Sequence, residues 1–173
     1  MSIPPSTIDL PMPRWTYVPG ESDQAEADQD ALWQAKALVP SRFCDYVPAR
    51  HPALRYGIAL NDSCYFWESQ AVLEAVWAAA PQAGRERTLL RACIHVAKAN
   101  LRLRVGKPHA AARLFGEALS ELNLLGERKA ITAGDGFVEG FPTAALARLL
   151  KAKLELAMLS KADWIAIAVM GRT

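Results

Sequence analysis

The chain has 173 residues, 22% of them charged and 51% hydrophobic, with a formal net charge of +2. This composition excludes wholesale disorder and fits one domain with a core of its own. The near balance of charge argues against a nucleic-acid partner or a strongly acidic one at the level of the whole chain.

Residues 1–22 predict an extended arm. Pro4, Pro5, Pro11, Pro13 and Pro19, then Gly20, deny the chain helix donors and fix φ. The arm's apolar residues, Ile8, Leu10, Trp15, Tyr17 and Val18, predict that it lies on something. Its start has neither the basic residues nor the apolar stretch of a secretory signal. No apolar run approaches the roughly 20 residues that span a bilayer, so the chain reads as cytoplasmic, with no membrane partner. Residues 23–173 predict a single helical domain. Across the junction, residues 21–30 carry Glu21, Asp23, Glu26, Asp28 and Asp30, an acidic start that suits the positive end of a helix dipole. A short helix to Leu38 follows, stopping before Pro40.

Residues 40–51 read as a connection punctuated by Pro40, Pro48 and Pro52. Pro52 opens a helix to about Leu60, and Asn61-Asp62-Ser63 reads as a turn and cap whose side chains accept from free helix N–H groups. Helices from about Cys64 to Ala80 and from Arg85 to Val105 come next, the first ended by Pro81. Gly106-Lys107-Pro108 breaks the chain, and a helix over 108–124 buries Ala111, Leu114, Phe115, Ala118, Leu122 and Leu125 while Arg113, Glu117 and Glu121 point elsewhere. Gly126, Gly134, Gly136 and Gly140 predict a loop over 126–141. Pro142 starts a helix to about Leu159, and Trp164 to Met170 is open between helix and strand. The fold class is all-α: a compact bundle of about five or six helices built from antiparallel hairpins over 52–80 and 85–124. The second hairpin, with Gly106, Ala110 or Ala112, Phe115, Ala118 and Leu119, looks like one tetratricopeptide-type repeat, but repeat arrays need about three copies and no third is found.

The cysteines, Cys44, Cys64 and Cys93, are odd in number and widely spaced, without Cys-x-x-Cys. They predict neither a disulfide framework nor a zinc site, and read as three buried apolar side chains in a reducing compartment.

The stretch from Gly57 to Trp77 carries a resemblance. Tyr65-Phe66 leads into Gln70, Glu74 and Trp77 at one-turn spacing. This resembles the family known as domain of unknown function 309, whose hallmark is a helix reading His-x-x-x-Glu-x-x-Trp after a Tyr-Phe-Glu-like lead-in. Leu90 to Leu114 is similar to that family's second helix, glycine turn and alanine-rich third helix, and Tyr17-Val18-Pro19-Gly20 to an N-terminal feature of some members. The resemblance covers about residues 15–20 and 52–125. Gln70 stands where the family's His is expected, and an amide neither titrates nor ligates transition metals well. The resemblance therefore implies a variant that keeps the fold without a metal or a proton-shuttling role.

The residues themselves point to one polar constellation. Gln70 and Glu74 share a face, flanked by Phe66, Trp67 and Trp77, where a carboxylate needs a partner. Arg87, Arg91, His95, Lys98 and Arg102, spaced 4, 4, 3 and 4, form a basic stripe on the next helix. An antiparallel pairing about residue 83 predicts a buried Glu74 opposite Arg91 and His95, with Gln70 opposite His95 to Lys98. Gln70, Glu74, Trp77, Arg91, His95 and Lys98 are the candidate site. Two readings stay open: a salt bridge that fixes helix register, or a pocket that binds a ligand or uses Glu74 with His95 as acid and base. Asn100, on the opposite, apolar face, needs its own partner.

No metal or cofactor is expected. His51, His95 and His109 have no metal spacing, Gly134-x-Gly136 is no dinucleotide fingerprint, and no nucleophile motif occurs. The favoured function is a non-enzymatic helical domain binding a protein partner or a small ligand; the alternative is an enzyme using Glu74 and His95. Trp15, Tyr17, Val18, Trp164, Ile165, Ile167 and Val169 predict that both ends pack on the body or on a neighbouring subunit, which favours a homo-oligomer.

Overall fold

A computed structural model describes residues 10–21, 28–127 and 135–168. Among them are α1 (Gln29–Ala37), α2 (Pro52–Asp62), α3 (Phe66–Ala79), α4 (Arg85–Arg104), α5 (Pro108–Glu127), α6 (Phe137–Gly140) and α7 (Thr143–Leu154), followed by a 3-10 turn at Lys161–Asp163. There is no strand among the described residues, only an isolated antiparallel bridge between Pro48 and Gly136. The expected all-α bundle is the observed fold. Helix α2 packs on α3, α3 on α4, α4 on α5 and α5 on α7, so two antiparallel hairpins stack and α7 covers the open side of the second.

Local chemistry sets the boundaries. Asp28 caps α1 by accepting from the Ala31 N–H at 3.5 Å. His51 caps α2, its Nδ1 accepting from the Ala53 N–H at 3.2 Å, while Pro52 occupies the first turn, where a missing donor costs nothing. Helix α3 starts at Phe66 rather than Cys64, because Cys64 sits in the left-handed region at φ 69° and breaks the path from α2. Gly106 ends the α4 turn at φ 77°, and Pro108 opens α5. Gly57 lets α2 and α3 approach: a Cβ there would lie 2.8 Å from Leu73 Cδ2, and the Ser69 hydroxyl donates to the Gly57 carbonyl at 2.6 Å.

The main core lies between the hairpins and α7, around Leu73, Leu89, Leu90, Phe115, Leu146 and Leu150. A smaller core joins Leu32 and Ala35 of α1 to Tyr56, Leu60 and Val72. Each buried Leu or Phe contributes about 1.5–3 kcal/mol over its exposed state.

Several expectations are corrected. Asn61 and Asp62 do not cap α3; they end α2, and their side chains reach the C-terminal tail instead. Helix α5 runs through Gly126 to Glu127, and α6 occupies part of the expected loop; Gly134 lies outside the described residues. Helix α7 stops at Leu154, well short of Leu159. Residues 164–168 form neither helix nor strand, and Val169 and Met170 lie outside the described residues, as do Ile8, Asp23 and Glu26. Only Cys93 is a buried thiol, held far above its ordinary pKa by desolvation; Cys44 and Cys64 are exposed.

The described parts of the arm and the tail, residues 10–21 and 164–168, lie on the body. In the arm, Val18 and Pro13 are buried, and in the tail Ile165 and Ile167 are. Met12 and Trp15 are the arm's exposed large apolar residues, Trp15 at 45% exposure and stacked under the Arg14 guanidinium at 4.8 Å.

Candidate functional site

The six residues singled out lie along one outer face formed by α3, α4 and α5, and the structure divides them into three groups. Gln70, Glu74 and Lys98 meet: Gln70 Nε2 donates to Glu74 Oε1 at 3.4 Å, and Lys98 Nζ lies 3.5 Å from the same oxygen. Trp77 receives two guanidinium groups on its ring, Arg87 at 4.0 Å and Arg91 at 5.7 Å. His95 turns to α5, with Nδ1 3.0 Å from Glu121 and Nε2 3.4 Å from Glu117. Arg91 Nε, 3.8 Å from Glu121, links the second group to the third.

Glu74 is therefore not the buried partner of Arg91 or His95. Its side chain is 47% exposed. Helical side chains tilt toward their own N-terminus, so on an antiparallel pair Glu74 leans back to the level of Gln70 while Lys98 leans the other way, and the two meet diagonally. His95 is absent from this group because the basic stripe is wide. At about 100° per residue it spans about 80° of α4, which puts Arg87 and Lys98 on the edge facing α3 and His95 on the edge facing α5. The acid that faces His95 is Glu121. It did not read as an interface residue, yet its side chain is only 13% exposed.

Chemically this is a mixed-charge face built round a stacked aromatic. An imidazolium at His95 donates to both carboxylates, whereas a neutral ring donates to one. Arg87 and Arg102 have no acidic partner among the described residues, unlike Arg91, His95 and Lys98. Trp77 Nε1 and Arg87 Nε are buried donors without an acceptor among the described residues. No group of three or more His, Cys, Asp or Glu gathers as a metal cage among the described residues.

Two further polar centres lie away from this face. Asn100 is wholly buried and fully paired: Nδ2 donates to Asn61 Oδ1 and to the Ile165 carbonyl, each at 2.8 Å, and Oδ1 accepts from the Ile165 N–H at 2.8 Å. Asn61 Nδ2 also donates to the Ile165 carbonyl, at 3.1 Å. Its need for a partner was legible; the partner, in the tail 65 residues away, was not. The second is Glu68, wholly buried at the start of α3. It accepts from the Tyr17 N–H at 2.7 Å and the Thr16 hydroxyl at 3.1 Å. Burial pushes its carboxyl above the ordinary carboxylate range, and those two donors pull it partly back. In sequence, Glu68 looks like any acidic residue in a first helical turn. Only the docked arm distinguishes it.

The fold and this face define an all-α domain of stacked helical hairpins with an open charged surface. Residues 54–114, about a third of the chain, match the family described as Domain of unknown function (DUF309). The family suggested by the Glu74–Trp77 motif is thus the family matched, over a stretch that runs from α2 into α5. No curated protein and no solved structure matches the chain.

Proposed function

We propose that this chain is a non-enzymatic helical domain that binds a protein partner through the α3–α4–α5 face. One observation carries the reading: the motif residues and the basic stripe share an open surface, with the side chains of Glu74 and Arg91 about half exposed at 47% and 51%. Opposite charges interspersed round a Trp–Arg stack suit a protein surface, since aromatic and Arg side chains are the usual anchors of such contacts. Pairing of Arg91 with Glu121 and of Lys98 with Glu74 speaks against a phosphate-backbone partner. The alternative, an enzyme using Glu74 with His95 as acid and base, draws no support from two side chains that face different partners. No helix among the described residues is long and apolar enough to cross a membrane. With free thiols at Cys44, Cys64 and Cys93, this supports a cytoplasmic setting.

Charge reversal on the face tests the proposal. Arg91→Glu with Lys98→Glu replaces two pairs worth about 1 kcal/mol each by repulsion from Glu121 and Glu74, so the comparison is made at a temperature where circular dichroism shows both proteins folded. Affinity capture with cross-linking should then lose the specific partner that the wild-type chain retains. Equal retention by both proteins would remove the face from the function.

A further inference from the structure

Helices α1, α2 and α3 form a groove that residues 10–21 fill, and the body holds this segment by its main chain at three points and by the side chains of Arg14, Thr16 and Glu21. Tyr56 donates its hydroxyl to the Pro11 carbonyl at 2.7 Å. Asp28 accepts the Arg14 N–H at 3.0 Å, and Glu68 the Tyr17 N–H at 2.7 Å. Pro13 is buried between these points, and the Tyr17 ring stands edge-on to Trp67 with centroids 5.2 Å apart. At the far end Arg104 grips the Glu21 carboxylate in a two-pronged bond at 2.8 and 2.9 Å.

Fixed side-chain donors and acceptors on the main chain, aromatic walls and spaced prolines make up the general chemistry by which grooves take extended proline-containing ligands. Proline lowers the entropy such a ligand loses on docking. Glu68 points the same way. Burying a carboxylate is unfavourable, and the side-chain bonds of this one go to the arm, not to a neighbouring helix. It is placed to receive a peptide rather than to hold the bundle together.

We propose that the α1–α2–α3 groove is a peptide-binding site for an extended proline-containing segment, and that the segment it takes in trans is the arm of a second copy of this chain. Every copy carries the matching sequence, joined to α1 only through residues 22–27. The arm in cis competes at an effective concentration on the order of millimolar, so exchange between copies shows when the cis arm is weakened or the protein is concentrated.

The test uses the full chain with Thr16→Gly and Tyr17→Gly, which weakens the arm and leaves every groove side chain in place. A fluorescent peptide of residues 10–21 should bind this variant saturably by anisotropy, and bind wild type at least about tenfold more weakly, because there the groove is occupied. Adding Glu68→Gln to the variant should weaken the peptide by about tenfold. A variant of wild-type helix content with no saturable binding, or one that binds no better than wild type, would overturn the groove as a site. Unaltered chains in two differently tagged forms, refolded together at rising concentration, give a readout that does not depend on the variant folding. Dimers carrying both tags support exchange. Monomer at every concentration would overturn the second copy as occupant.

Discussion

Two glutamates on α3, Glu68 and Glu74, sit about a turn and a half apart and should respond to truncation to different extents. Glu74, half exposed and paired with Lys98, contributes what a surface ion pair does, so Glu74→Ala should change stability by no more than about 1 kcal/mol. Glu68→Ala leaves the Tyr17 N–H and the Thr16 hydroxyl without an acceptor and should cost about 1–3 kcal/mol. Chemical denaturation of the two variants beside wild type checks both; equal losses would mean that the arm contributes nothing at Glu68. His51 adds a dependence on pH. Desolvation holds its pKa below the ordinary value of 6.5, opposed by its bond to the Leu38 main chain. Its capping nitrogen must be unprotonated to accept from Ala53. A depressed folded pKa means that the cap's stabilisation is present above pH 6.5 and is lost as pH falls through the folded value. The melting temperature should therefore drop more between pH 7 and pH 5 in wild type than in His51→Ser, where a hydroxyl caps without titrating. Parallel profiles would show that the cap is not the titrating element.

At the scale of the element, the helices were legible because their stops are local chemistry: Pro40, Pro81 and Gly106-Lys107-Pro108 each end or open a helix where the sequence says. What failed was non-local. Glu121 read only as pointing away from the apolar stripe, and only the approach of α4 gives it His95 and Arg91. Asn61 and Asp62 had the composition of a cap, and only the returning tail shows what they accept and donate. Glycine makes the same contrast testable. Gly57→Ala must push Leu73 aside and should cost about 1–3 kcal/mol, as overpacking does. Gly116, in the middle of α5 with nothing near a new Cβ, should gain up to about 1 kcal/mol from alanine. Thermal melts of the two substitutions should move in opposite directions. Shifts of the same sign would show that the tight approach of α2 to α3 relaxes freely.

Across the whole molecule, arm and tail both stitch the helices together, the arm on α1–α3 and at Arg104 of α4, the tail between α2 and α4. Deleting residues 164–173 removes the Ile165 main-chain groups that Asn100 and Asn61 use, leaving two buried amides short of partners. The loss should reach about 3 kcal/mol or more by denaturant titration, and a truncated chain as stable as the full one would show that the tail is not structural.

The same stitching sets an order of events in time. Asn61 and Asn100 belong to α2 and α4, which leave the ribosome long before Ile165, whose carbonyl and N–H they require. Until residues 165–168 have been made, the hairpins can collapse but must keep that pocket of amides wet or open. The tail thus acts as the closing stitch of folding: of the three segments that meet here, the one translated after the other two is the one that dries the centre. A nascent chain stalled before it should remain loose, sticky and dependent on chaperones, however well formed its helices are.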